Sequence, residues 1–427
     1  MYLTEADWPT SHLLPFVFVI TYLLDLERMM LALGRPGGWR SLLASARSRN
    51  QKAIGGTSMK LRSVAGAILA SVAMALGMAG QSGALTLNVF TDPHPPMCCG
   101  TIGFAFIGDG FVGSVQADGT GNVLYRTDVN GGSVSIFAPT VLIPGGSPSS
   151  EHFVASSLGL GGFPDRDVYV AAANGIIHID HNGTSGTPTI TSVNGVAGNN
   201  LASPVRGILF DAIGTFGNDM LVTTSGGQIY RVDNTGAATL LASVGEDTEG
   251  LDIAPLGTFG PYAGQLIVAS EGSGLLRAIT TTGTVTVINP NSPIAGAEEL
   301  TFVPLNLGAS GNPVEGFYGS NYTQNVVKGD ASEFTSMLGD IIVTGEFTHF
   351  VWDVKWNGSA PVNANIGSFP NQPEDGIFVT TAIINPCPPG EVCNNVPEPD
   401  SLLLLAAALL ACAAGAGVSG RRKFRAG

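Results

Sequence analysis

The chain has 427 residues, of which 44% are hydrophobic and 12% charged, about half the charge of an average globular protein. Its 58 Gly and 26 Pro fall short of the roughly 25–30% Gly plus Pro that marks low-complexity disorder, so a sizeable core can form. Residues 85–399 hold 7 Lys/Arg against 28 Asp/Glu, and Arg126, Arg166, Arg206, Arg231, Arg277, Lys328 and Lys355 are scattered singly. Nucleic-acid binding needs basic clusters that displace counterions, so that partner is excluded.

Taken from the N-terminus, residues 1–58 read as a non-native or disordered extension. Their apolar stretch Leu13–Leu24 contains Pro15 and has 12 residues, short of the roughly 20 that span a bilayer. Met59-Lys60-Leu61-Arg62 then starts a second leader-like segment. A charge-free apolar run over 64–80 and the small residues Ser82-Gly83-Ala84 follow. Basic, apolar and small-residue regions in that order predict a secretory signal peptide over 59–84, cleaved near Ala84.

Export permits disulfides. Cys98 and Cys99 lie near the mature N-terminus, Cys387 and Cys393 near the end of the domain, and Cys412 falls in an apolar C-terminal stretch. The first four allow three pairings. The expectation is a Cys387–Cys393 bridge, or a bridge tying the N-terminal pair to the C-terminal pair. His94 has no second His-rich segment to complete a zinc pattern.

Residues 85–395 repeat. A strand closed by a tight turn appears as Gly121–Gly131, Gly175–Gly183, Gly227–Gly236 and Gly274–Gly283, with starts 54, 52 and 47 residues apart. Each reaches Asp or Thr, then Asn or Thr, then Gly, as a hairpin turn requires. Short buried strands precede these turns at 168–171, 221–224 and 266–269, and recur at 341–344. Each unit opens on a further strand, at 206–210, 249–253, 298–302 and 375–378. Three or four short strands every 45–55 residues predict an all-β chain folded as a β-propeller. Blades fall near 101–139, 150–193, 205–243, 248–289 and 297–356. A sixth would combine 375–384 with a strand at Leu85–Phe90, which favours six blades over five. Residues 305–338, with Tyr318, Asn321 and Tyr322, read as an inserted loop on one face of the fifth blade. The Tyr230-Arg231-Val232-Asp233 style of hairpin resembles NHL and gluconolactonase-like propellers. That resemblance implies a metal at the propeller axis held by an acidic residue and Asn side chains, though no matching Asn set is evident here.

The opening strand should lie innermost. Its first position holds Glu151, Arg206, Glu249, Glu298 and Asp375, which predicts an acidic ring with one Arg at the axis. Such a ring suits a divalent cation such as calcium, or only channel water and blade-end amides. Asp180-His181-Asn182-Gly183 reads as a turn, since the carboxylate at position 12 of a calcium loop is missing. Trp352 and Trp356 read as packing residues. No nucleophile with an oriented base and no phosphate-cradling loop is recognisable.

At the C-terminus, Val396-Pro397-Glu398-Pro399 precedes the uncharged stretch Ser401–Gly420 and the basic run Arg421-Arg422-Lys423-Phe424-Arg425. Twenty apolar residues span about 30 Å as a helix, and the basic cluster places the far end in the cytoplasm. The three-part order over 396–427 resembles the PEP-CTERM sorting signal. It implies membrane anchoring by a transmembrane helix, then processing near Pro397-Glu398-Pro399 by an exosortase-type membrane protease, in a host that makes extracellular polysaccharide. The reading is an exported, envelope- or matrix-associated propeller acting as a binding or structural module, with no obligatory cofactor. Extracellular polysaccharide is the ligand class that its destination suggests. The alternative is a secreted metal-dependent hydrolase or lactonase-like enzyme using the axial acids.

Overall fold

The computed structural model describes residues 84–116, 123–144, 151–198 and 200–380. The signal peptide, Cys387, Cys393 and the sorting segment Val396 to Lys423 lie outside the described residues. Among those described, no helix is long and apolar enough to cross a membrane.

The N-terminal strand is β1 (Asn88–Thr91). Blade one is β2 (Thr101–Phe106), β3 (Gly110–Val115), β4 (Leu124–Asp128) and β5 (Ser135–Ile136). Blade two is β6 (Val154–Leu158), β7 (Asp165–Ala172), β8 (Gly175–Ile179) and β9 (Gly186–Pro188). A small hairpin, β10 (Ser192–Val193) and β11 (Val196–Ala197), then extends the outer edge of blade three. That blade is β12 (Val205–Phe210), β13 (Met220–Thr224), β14 (Gln228–Val232) and β15 (Ala237–Ser243), with β10 parallel to β15. Blade four is β16 (Thr248–Ile253), β17 (Leu266–Ser270), β18 (Leu276–Ile279) and β19 (Val285–Val287).

Blade five starts with β20 (Ala297–Phe302). The chain then leaves it for β21 (Gly316–Asn321), β22 (Asn325–Asp330) and a one-turn helix α1 (Ala331–Phe334). It returns for β23 (Ile341–Gly345), β24 (Phe350–Trp356) and β25 (Pro361–Ser368), and ends on β26 (Pro373–Val379). Blade five is β20-β23-β24-β25, and blade six is β26-β21-β22-β1. The fold is therefore a six-bladed, all-β propeller. The inner strands β2, β6, β12, β16, β20 and β26 each contact the next, and β26 contacts β2 to close the ring.

One sequence expectation is corrected. The segment over 305–338 is not a loop on blade five but supplies the two middle strands of blade six. Its first strand, β21, is core: Tyr318 is fully buried and donates its hydroxyl to the Val314 carbonyl at 2.7 Å. Asn321 is also buried and bonds Asn325 and the Asn371 amide. Strands β1 and β26 share blade six as expected, but β21 and β22 stand between them. Cys98 is joined to its neighbour Cys99, and the expected bridges of Cys387 and Cys393 fall on residues outside those described.

The repeated turns follow from local chemistry. Asp128 accepts the amides of Asn130 and Gly132, Asp180 those of Asn182 and Thr184, and Asp233 those of Thr235 and Ala237. Thr280 and Asn357 play the same part in blades four and five. Each side-chain oxygen replaces ladder partners lost at the turn. Hydrogen bonds from Ser185 and Thr184 hold the Asp180 carboxyl below its ordinary range, consistent with a turn. Trp356 packs edge-on against Tyr262, and both Trp356 and Trp352 border the core between blades four and five.

Blades meet most closely near the starts of their inner strands. A Cβ on Gly207 would lie 2.5 Å from the Glu249 carbonyl oxygen, and one on Gly250 would lie 2.3 Å from the Leu300 nitrogen. Carboxyls clasp later blades: Asp252 accepts the Phe302 amide at 2.7 Å, and Asp375 accepts the Phe104 amide at 2.9 Å. Gly250→Ala is therefore expected to destabilise the protein by about 1–3 kcal/mol through overpacking. Gly272→Ala, whose Cβ would meet only the Glu246 carboxylate at 3.6 Å, should change stability by less than about 0.5 kcal/mol. Denaturant melts of the two variants check this, and equal stabilities would contradict the close approach.

Candidate functional site at the propeller axis

The second residue of β12, β16, β20 and β26 is Arg206, Glu249, Glu298 and Glu374. These positions fall in irregularities of the ladder, where the inner strand carries extra residues relative to its partner. Such bulges turn side chains out of the regular alternation. The axial mouth is thus built where the strands begin.

Arg206 sits amid carboxylates. It pairs with Glu151, with Asp247 at 3.1 Å and with Glu249 at 3.2 Å. Burial alone would lower its pKa, but Glu249 and Asp247 outweigh that and raise it. Beyond Arg206 the acids have only one another and a few amides. Asp247, Glu249 and Glu271 bring one oxygen each within 4.8 Å of one another, as do Glu271, Glu298 and Glu346. Gln372 donates to Glu346 and to Glu374, each at 2.8 Å. Glu249 and Glu298 are 4% and 3% exposed, and Oε2 of each has no hydrogen-bond partner. Oδ1 of Asp247 and Oε2 of Glu346 are likewise buried and unpartnered.

An unpaired buried carboxylate is costly, so it gains a proton or a cation. Burial raises the Glu298 pKa well above its ordinary value, with Glu249 adding to it. Burial, then Glu249 and Glu346, does the same to Glu374. Glu346 is pushed up to about 7 by burial and by Glu271. Deeper in the channel, burial lifts Asp375 to about 7 and Asp252 to about 6. Glu299 lies with them, raised by burial and by the nearby Asp375 and Asp252.

Of the residues predicted for the ring, Glu151, Arg206, Glu249 and Glu298 gather at the mouth. In β26 the residue at their level is Glu374, and Asp375 lies one step deeper, clasping Phe104. In blade two His152 follows Glu151 and is fully buried, with Nδ1 donating to the Ala171 carbonyl at 2.7 Å. Sequence reasoning missed Asp247, Glu271, Glu346 and Glu374. A signal existed for two of them: Glu271 and Glu346 each stand five residues after the start of the second strand of their blade, at Leu266 and Ile341.

Oxygen-only ligands at this density fit a hard divalent cation, which takes 6–8 oxygens at 2.3–2.6 Å when it is calcium. Asp247, Glu249, Glu271, Glu298 and Glu346 are the residues that would hold it.

No protein-family model matches the chain, and no curated protein does. Among solved structures, the chain is similar to a component of a nidogen/laminin complex, at 13% identity over 65% of this chain and 83% of that one, with a TM-score of 0.42. It is similar to a provisionally assigned gluconolactonase at 10% identity over 68% and 84%, with a TM-score of 0.42. It is also similar to a streptogramin B lyase at 13% identity over 68% and 91%, with a TM-score of 0.39.

The raised carboxyls bind protons more tightly in the folded chain than in the unfolded one. Their stability contribution is therefore complete below about pH 4 and lost as pH rises through 6 to 7. In a chelator, the thermal midpoint should fall by several degrees between pH 5 and pH 8. Calcium should restore most of that loss at pH 8 by replacing the protons. Calorimetry at both pH values checks this, and a higher midpoint at pH 8 in chelator would contradict the axial assignment.

Proposed function

We propose that the protein is an exported, exosortase-sorted β-propeller that works at the cell envelope or matrix as a divalent-cation-dependent binding module. The observation that carries this reading is the pair Glu249 and Glu298, both buried at the axis, each with an oxygen no donor satisfies. A bound calcium ion would neutralise them and present its remaining coordination sites at the mouth. Sugar hydroxyls of an extracellular polysaccharide are suitable ligands for such sites, as neutral oxygens. The side chains around the ion orient it, and Arg206 fixes the position of Glu249 and Asp247.

A second reading has its own support. Burial raises the pKa of Glu374 well above its ordinary value, beside the carboxylates that would hold the ion. A proton donor next to a cation provides the parts of a metal-dependent lactone hydrolase.

Titration of the purified protein with calcium by calorimetry tests the first reading. One ion should bind, and Glu298→Gln should weaken binding on the order of tenfold, because affinity follows ligand charge. No heat of binding from calcium, magnesium or manganese would overturn it. Lactone hydrolysis lost in Glu374→Gln while calcium still binds would establish the enzymatic reading instead. For sorting, replacing Pro397, Glu398 and Pro399 by alanine should leave full-length protein in the inner membrane. Unchanged release, followed by fractionation and immunoblotting, would contradict it.

A further inference from the structure

The acidic mouth uses only one end of the axis. Below Arg206, Glu249 and Glu374 the channel opens into a cavity of about 620 Å³ that runs toward the ends of the inner strands, within the 300–1,000 Å³ range of small-ligand sites. Four residues beyond the axial level each inner strand places one side chain on its wall: Phe106, Ser156, Phe210, Ile253, Phe302 and Phe378. Five of these are large and apolar. The sixth is a serine whose Oγ is buried with no hydrogen-bond partner.

The far opening is apolar too. Ile213 and Leu305, 39% and 40% exposed, line the cavity from the loops that follow β12 and β20. Leu160 and Leu256, 36% and 61% exposed, occupy the corresponding loops after β6 and β16. Scattered singly, exposed leucines need no explanation. Here four consecutive blades each offer one at the same strand end, around an apolar opening.

The remaining polar wall is acidic. Asp252, Glu299 and Asp375 line the cavity, and its one cation, Arg206, is already held by three carboxylates. A negatively charged head group would meet repulsion there and find no free cation. A ligand hydroxyl would donate to these carboxyls.

We propose that this cavity is a second binding site, distinct from the cation mouth, that takes an uncharged amphiphile of the alkanol type. Its hydroxyl reaches the carboxyl girdle, and its hydrocarbon part passes between Ile213 and Leu305. Of the five residues that would hold the ion, only Glu249 borders this cavity, at its upper rim and not on its apolar wall, so the two sites are tested separately.

The probes are 1-octanol and octanoate, titrated into the purified protein at pH 7 and followed by calorimetry. Octanol should bind saturably at one site and octanoate at least about tenfold more weakly, a gap of about 1.4 kcal/mol. The double variant Ile213→Arg, Leu305→Arg alters exposed positions, so it should keep the wild-type thermal midpoint and calcium binding while losing octanol. Glu298→Gln should do the reverse, weakening calcium about tenfold and keeping octanol. Equal binding of octanoate, absence of saturable octanol binding, or octanol binding unchanged in the double variant would each overturn the proposal. None of those outcomes bears on the calcium titration, so the two sites fail or stand separately.

Discussion

Six inner strands stand side by side around one axis, and the crowding there governs what each can carry. A four-stranded blade is too small to bury both faces, so each must lean on its neighbours. Where the strands come closest, Gly103, Gly207 and Gly250 leave no room for a side chain. In the next two blades the same place holds Glu299 and Asp375, and carboxyls take over the contact. Hydroxyls complete the belt: Ser114 donates to the His152 carbonyl and Thr223 to the Glu249 carbonyl, each across a blade boundary. Ring closure and the acidic axis are thus consequences of one packing problem. The acids nearest the axis are partly structural, and their charge is a by-product that must be neutralised.

The charge inventory shows how little the chain itself supplies for that. All seven basic residues of the described domain are paired: Arg126 with Asp109, Arg166 with Asp165, Arg231 with Asp219, Arg277 with Glu246, Lys328 with Asp330 and Lys355 with Asp340, in addition to Arg206. Most of those pairs lie away from the axis. Desolvating several carboxylates together costs far more than one guanidinium returns. Protons and a divalent cation are the two remaining ways to settle the field, and they compete for the same oxygens. Under the proposed reading the axial acids link proton binding, cation binding and fold stability through a single set of groups.

Much of this was legible in the sequence. Strand, turn and repeat were readable because hairpin chemistry is local: Asp180, Asp233 and Thr280 announce the same turn at near-constant spacing. The axial level was readable in Glu249 and Glu298, which open strands of the same pattern. Two things were not local and were missed. Gly250 follows Glu249 directly, whereas Gly376 follows Glu374 only after Asp375, so matching the strands on that glycine points one residue too far. The long excursion after β20 reads as an insertion, since no one-dimensional signal says that β21 and β22 join strands from the two ends of the chain. Glu271 and Glu346 stand one residue past the ends of second strands, so their meeting with Glu298 depends on how the blades are arranged around the axis.

The two ends of the channel differ because the inner strand itself is polarised. Arg206 leads to Phe210, Glu249 to Ile253, Glu298 to Phe302 and Glu374 to Phe378, each four residues on. Both members of the Arg206, Glu249 and Glu374 pairs border the same cavity, so one strand writes a charged level and an apolar level onto the same axis. Repetition around the ring turns those levels into a polar mouth and an apolar well. Blade two breaks the rule at both levels, with His152 above and Ser156 below. A ring of identical blades would be symmetric about its axis and offer a ligand no preferred orientation. Blade two removes that symmetry.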